Sequence, residues 1–425
     1  MSKVFRACPL FDAHKTFVTL PMGAAMLHDY PDSKHFVSKI TEQIPDAQQE
    51  FFYTASFLKS YSRKSEATYR SYRNEVERLL LWSWTVANKS VIALRRPDLE
   101  VYFDFVHSPP AHWVATSVAD RFRSIDGQAR QNQNWRPFVV KIAKQDRRKA
   151  LDSGLAIPGT TSGHSLSHEA MKICYSALSC FYDYLTDEGY AFGNPIPAIR
   201  KQSPFLIKGV TFKSIKRLSD LQWDYVLDCA RDAADKDTDH ERTLFVVSML
   251  KTLYLRVSEL SDRSNWQPVW KHFWQDGDGN NWLKILGKGN KIRDVSVPSS
   301  LGPYIQRYQD HRQSLSPSFG LNATLVAKNR GVGGMTARQL RRIVQYAFDL
   351  AHDKMRSEGF VDEAQALREA TTHWLRHTGA SKDIATRPLK HMADDLGHAS
   401  MGTTDQVYIQ SDMKDRARTG KEREV

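Results

Sequence analysis

Residues 372 to 381 read THWLRHTGAS and place His373, Arg376 and His377 within five positions of an otherwise apolar stretch. Three such groups together ask for a polar, anionic partner close by. Three further segments in the same half of the chain carry unusual polar residues: LRVSEL at 255–260, with Arg256 and Glu259; GKGNK at 287–291, with Lys288; and LGHASMGTTDQVY at 396–408, with His398 and Tyr408. Each alone has a plain explanation. Arg256 and Glu259 could be a surface ion pair on a helix, GKGNK a solvated turn, His398 a helix cap and Tyr408 a core aromatic. His373 and His377 have the i, i+4 spacing of metal ligands, but HWLRH lacks the glutamate of the zinc-protease motif, and Arg376 would repel the ion. No metal is expected.

Taken together, two arginines, a lysine, histidines and a tyrosine suit the displacement of a phosphodiester by a side-chain nucleophile. Negative charge concentrates on the non-bridging oxygens in the transition state, and the planar fork of arginine matches them. A lysine on a turn can protonate the leaving oxygen. A tyrosine hydroxyl, with an ordinary pKa of about 10, attacks only when cationic neighbours and a histidine help remove its proton. No acidic metal cluster and no GxxxxGK[ST] phosphate loop accompanies these segments, so neither a cofactor nor ATP is expected.

Elements must hold these groups in place. Ser219 and Gln222 form a capping-box pattern before LQWDYVLDCARDA. The apolar TLFVVSMLKTLYL then reads as a helix running into RVSEL. Strand-like runs follow at HFWQ, WLKILG and IRDVSVP, the first two joined by the turn signal DGDGN. In the last run Ile292, Val295 and Val297 are expected to face a core. From Thr336 onward the chain reads helical, with Thr336 and Gln339 as another capping box.

Upstream, residues 1–60 show no clear period and read as an N-terminal extension without an assignable role. SEATYRSYRNEVERLLLWSW sets Tyr69, Tyr72, Val76 and Leu79 at helical spacing, with Arg70, Arg73, Asn74 and Glu77 on a face expected to meet solvent or an anion. RPDLEVYFDFVHSPP reads as a helix stopped by Pro109 and Pro110. Residues 111–165 look irregular, an insertion with a basic run at 141–149. SLSHEAMKICYSALSCFYDYLTDEGY is a long helix. The segment 197–216 lacks periodicity and reads as a basic linker, whose Lys208, Lys213 and Lys216, with Arg217 beyond it, would suit contact with phosphates.

The bulk numbers agree with a polyanion partner. The 425 residues suggest two or three domains. Their formal net charge is +12. The four cysteines, Cys8, Cys174, Cys180 and Cys229, follow no disulfide or metal spacing, as in a reduced, cytoplasmic setting. No apolar run reaches membrane-spanning length and the start of the chain lacks a signal-peptide core, so no membrane partner is expected.

The four segments resemble, in order and approximate spacing, the boxes of the tyrosine recombinase (phage integrase) family. LRVSEL resembles its first arginine box, GKG its hairpin lysine, HWLRHTGAS its second box and LGHASMGTT…Y its terminal histidine and nucleophile box. The match is specific over roughly 217–412 and looser over 61–200. The resemblance implies a mainly α protein with a small antiparallel β-sheet in its catalytic domain. A helical core-binding domain (61–196) and an α+β catalytic domain (217–425, with a C-terminal tail) would clamp double-stranded DNA at an inverted-repeat site. It implies that Tyr408 attacks the scissile phosphate to give a 3′-phosphotyrosine, and that Arg256, Arg376 and His398 cradle the phosphoryl oxygens. Lys288 would protonate the leaving 5′-oxygen and His373 assist at the nucleophile, with Glu259 and His377 in support. A monomer or dimer when free, a homotetramer in the synaptic complex and accessory proteins are further expectations, as is service to a mobile element. Two departures stand out: Tyr254 occupies a position where the family usually has glycine, and Tyr408 follows His398 by ten residues, one more than usual. A type IB topoisomerase, which shares the tyrosine chemistry, and a non-catalytic DNA-binding protein are the alternative readings.

Overall fold

The computed structural model describes residues 6–63, 65–140, 164–206, 216–316, 319–328, 330–398 and 420–421. The chain forms two compact units, Met1–Val210 and Thr211–Val425. The described residues are mainly helical, with short β-strands.

Besides a single turn at His14–Phe17, the first unit's α-helices among the described residues are α1 (Pro31–Thr41), α2 (Ala47–Ser62), α3 (Glu66–Trp82), α4 (Arg96–His107), α5 (His168–Asp187) and α6 (Ile196–Gln202). Ser65 starts α3 and Ser167 starts α5, each hydroxyl accepting from a backbone N–H three residues on. The aperiodic N-terminal stretch is part of this core: Phe11, Phe17, Phe51 and Phe57 are buried with Tyr69, Val76, Leu79 and Phe181. That placement corrects the solvated reading of the α3 face. Glu77 is buried and accepts from the backbone N–H groups of Leu10 and Phe11 at 2.7 and 3.2 Å and from Arg121. Arg73 is buried too and donates to the carbonyl of Asp12 at 2.7 Å, so it serves the fold and is no surface cation. Arg70 remains exposed.

The supposedly irregular stretch after α4 contains a hairpin, β1 (Phe122–Ile125) against β2 (Gln128–Gln131). Its two-residue turn is Asp126-Gly127, both at positive φ, 51° and 76°. The start of the expected linker is helical instead: α6 buries Ile196 and Ile199 in the first unit's core. Lys208, Lys213 and the basic run at 141–149 lie outside the described residues.

The second unit contains α7 (Asp220–Lys236), α8 (Glu241–Thr252), a three-stranded antiparallel sheet of β3 (Phe273–Gln275), β4 (Asn281–Leu286) and β5 (Ile292–Ser296), then α9 (Gly302–Leu315), α10 (Ala337–Ser357), α11 (Val361–Glu369), α12 (Thr372–Asp383) and α13 (Leu389–Leu396). Both expected capping boxes form, Ser219 with Gln222 and Thr336 with Gln339. The middle of helix α8 is buried all round, Leu244 through Val247 included, because α7, α9, α10 and α12 surround it. Its contact with α12 is so close that a Cβ at Gly379 would lie 2.0 Å from the carbonyl oxygen of Lys251. In β5 the expected inward set is only partly right: Val295 is buried and Val297 packs against the core, whereas Ile292 is 60% exposed. No described helix is long and apolar enough to cross a membrane.

Candidate active site

The site begins where α8 ends. The chain leaves the helix at Thr252, and Tyr254 turns it with a φ of 51°. This is the left-handed region that favours glycine. The glycine expected from the resemblance therefore has a backbone reason, and here a tyrosine adopts the same conformation. Its ring is buried, and its hydroxyl donates to Asp383 of α12 and accepts from Arg387 at 3.2 Å. Arg256 follows in a turn, not on a helix as expected, and Glu259 closes that turn with its N–H on the Arg256 carbonyl at 2.8 Å.

Glu259 is 1% exposed and binds arginines on both sides. It accepts from the Arg256 backbone N–H at 2.7 Å and from Arg256 Nη1 at 3.1 Å. It also accepts from Arg293 Nη1 and Nη2 at 2.9 and 3.2 Å. Burial works to raise its carboxyl, yet the Arg293 charge and hydrogen bonds, with those of Arg256, hold it below the usual carboxylate range.

Helix α12 supplies the second arginine. Arg376 is 3% exposed and donates to the carbonyl of Tyr254, to that of Leu396 at 2.7 Å and to His398 Nε2 at 3.3 Å. Arg256 Nη1 reaches the same Leu396 carbonyl at 3.4 Å. That carbonyl is available because α13 ends there: Gly397 turns left-handed at φ 64°, and His398 N–H closes back on Ala393 at 3.0 Å. His398 is thus both the end of a helix cap and a neighbour of Arg376.

The histidines sit in a cationic field. Burial, then Arg376 and Arg256, push His398 down to about 4. Burial, Arg376 and His373 do the same to His377. His373 is lowered by desolvation, Arg376, Arg256 and Arg341. All three are therefore neutral near pH 7 and able to accept a proton. Lys288 is exposed in the turn joining β4 to β5, where Gly289 and Asn290 both have positive φ. Its neighbour Gly287 is pressed into the site: a Cβ there would lie 2.7 Å from Arg293 Nη1 and 3.6 Å from Glu259 Oε1.

The structure thus brings together Arg256, Glu259, Arg376, His373, His377 and His398, with the Lys288 turn against the same carboxylate. Tyr408 lies outside the described residues. Lys216 is exposed and pairs with Glu369 at 3.3 Å, and Arg217 is exposed. Sequence reasoning missed Arg293, Arg387 and Asp395. The Asp395 carboxylate accepts from Arg387 and from the Ser296 hydroxyl, both at 2.7 Å. It also missed Arg338, Arg341 and Arg342, exposed in the first turns of α10, which carries no acidic residue in its first turn. Arg338 opposes the helix dipole in the first turn and Arg341 and Arg342 add positive charge in the next, a pattern that an anionic partner relieves. Among the described residues no group of three His, Cys, Asp or Glu side chains is placed to hold a metal.

No family model matches the chain. Curated relatives do. A tyrosine recombinase XerC of Proteus mirabilis is 25% identical over 258 residues, 60% of this chain and 71% of the relative. A XerC of Pelobacter propionicus is 27% identical over 263 residues, 61% and 71% of the two chains. One of Haemophilus ducreyi is 24% identical over 288 residues, 66% and 81%. Among solved structures, a XerH site-specific recombinase bound to a palindromic difH substrate is 15% identical, with a TM-score of 0.46 and coverage of 97% and 98%. The Tn1549 transposon integrase in complex with transposon right end DNA is 18% identical, with a TM-score of 0.41 over 66% of this chain and 83% of that one. With the four boxes in order, these matches make the chain similar to tyrosine recombinases over 60–66% of its length.

Proposed function

We propose that the protein is a site-specific DNA recombinase that breaks and rejoins strands through a 3′-phosphotyrosine. The observation that carries this reading is the convergence of Arg256, Arg376 and His398 on the end of α13, on the segment that leads to Tyr408. Two fixed guanidinium groups beside a neutral histidine are suited to the charge that develops on a phosphodiester under attack. The Tyr408 hydroxyl attacks phosphorus, and His373, held neutral by burial and by its cationic neighbours, takes the phenolic proton. The bond from phosphorus to the 5′-oxygen breaks, and Lys288 gives that oxygen its proton. One phosphoester replaces another, so no nucleotide is consumed. Arg338, Arg341 and Arg342 on α10, together with Arg70, Lys208, Lys213, Lys216 and Arg217, supply charge for the DNA backbone. A free monomer or dimer, a tetramer at synapsis and service to a mobile element are part of this reading.

The experiment that tests it traps covalent complexes on a pool of nicked duplexes of random sequence. Recombination at a defined site expects adducts enriched on one sequence with inverted arms. Adducts spread evenly over unrelated sequences would instead indicate a relaxing enzyme, and no adduct at all a DNA-binding protein.

A further inference from the structure

The β4–β5 hairpin carries Lys288 but must be held against the arginine site by something. Its turn has two ties to the nearby loop, Arg263 Nη2 to the Leu286 carbonyl at 2.8 Å and Asn265 to Asn290 at 2.9 Å. The tie to the site itself is Arg293, paired across the hairpin with Ile285. Its side chain is 13% exposed. Nη1 and Nη2 clasp the Glu259 carboxylate, and Nε donates to the Asp395 carbonyl at 3.0 Å. Two glycines close on the same group from different segments. A Cβ at Gly287, beside Lys288, would lie 2.7 Å from Nη1, and one at Gly397, beside His398, would lie 2.8 Å from it. One guanidinium thus touches the acid's turn, the histidine's helix end and the carboxylate that holds Arg256.

We propose that Arg293 is a positioning residue that sets the Lys288 turn against Glu259 and the end of α13, so that the general acid meets the leaving oxygen. The proposal rests on the cleavage reading above. Arg293 itself touches no reacting atom. Lysine in its place keeps the charge but has no planar fork to serve Glu259 and the Asp395 carbonyl at once. An alanine at Gly287, where φ is −84°, is free of backbone strain but displaces the guanidinium.

The test compares Arg293→Lys and Gly287→Ala with the unaltered full chain at saturating DNA, on nicked substrates with a normal 5′-bridging oxygen or a 5′-bridging sulfur. Sulfur leaves without a proton, so it bypasses a misplaced acid. Each variant should cut the oxygen substrate at least about thirtyfold more slowly, since a displaced proton donor forfeits most of its contribution. The loss on sulfur should stay under about fivefold, because that substrate makes no demand on the acid. A site that is merely loosened loses both substrates alike, and equal losses on oxygen and sulfur would overturn the proposal, as would undiminished cutting of oxygen. If the unaltered protein forms no adduct on either substrate, the cleavage reading fails instead.

Discussion

Arg256 and Arg376 donate to the same oxygen, the carbonyl of Leu396, at 3.4 and 2.7 Å. They come from a turn and a helix 120 residues apart in sequence, and the last residue of α13 holds them side by side. Two like charges are held together here because Glu259, bonded to Arg256, and the helix C-terminus that accepts from both arginines are negative in character.

The arginines should therefore be intolerant even of conservative change. Arg256→Ala and Arg376→Ala should slow cleavage by roughly a hundredfold or more, as when one fixed donor is lost from a transition state. Arg376→Lys should do nearly as badly, since a point charge cannot serve the Tyr254 carbonyl, the Leu396 carbonyl and His398 together. Single-turnover cleavage at saturating DNA checks this; an Arg376→Lys variant cutting at the normal rate would show that charge alone suffices.

Acid should weaken the fold in a definite window. His398 and His377 are each displaced from 6.5 to about 4, so the folded chain resists protons that the unfolded chain accepts. Their contribution is intact above pH 6.5 and declines as the pH falls toward 4. Glu259, depressed in the fold, adds a loss of the same sign below its ordinary value near 4.5. Urea midpoints should hold between pH 7.5 and 6.5 and fall from there to pH 4, and His377→Gln should flatten the upper part of the decline. Midpoints that hold steady from pH 6.5 to 4.5 would contradict the electrostatic picture of the site.

Gly379 offers a test of the packing that holds Arg376 in place. A methyl group there meets the Lys251 carbonyl at 2.0 Å and the Tyr254 ring at 2.9 Å. Gly379→Ala should force α12 away from α8 and cost about 3 kcal/mol, the upper range for overpacking a core. Thermal or urea unfolding measures it, and a loss below about 0.5 kcal/mol, the range of an ordinary surface change, would mean the helices are free to separate.

Much of the site was legible because its residue types are rare in their surroundings: charged groups in the apolar runs LRVSEL and HWLRH stand out without any knowledge of their partners. The capping boxes were legible for the same local reason. Arg293 was not, because a lone arginine in a strand looks like the solvent face, and alternation assigned the core to Ile292. The buried charge of Glu259 reverses that expectation, and only the fold reveals that Glu259 needs a second partner. Arg73 and Glu77 failed in the opposite direction. They look solvated on a helical wheel, but residues 10–12 and Arg121 cover them, and contacts so distant in sequence leave no periodic trace. The hairpin at Asp126-Gly127 carried a usable turn signal that the surrounding polar residues masked.

Exposed arginines at the start of α10 should appear in the salt dependence of binding. Each phosphate neutralised contributes about 0.9 to the slope of log affinity against log salt. Arg338→Ala, Arg341→Ala or Arg342→Ala should each weaken DNA binding across sequences and reduce the slope by about 1. Filter binding across a salt series decides it, and an unchanged slope in all three variants would remove this helix end from the DNA surface.

In the cleavage reaction proposed above, Tyr408 becomes covalently joined to DNA. On a nicked substrate that releases its short 5′ fragment, the intermediate cannot religate and should accumulate, in EDTA and without nucleotide. Peptide mapping should place the 3′-phosphoryl group on Tyr408, and Tyr408→Phe should bind the same DNA and trap nothing. An adduct that persists in that variant, or that maps to Tyr346 or any other tyrosine, would contradict the assignment of the nucleophile.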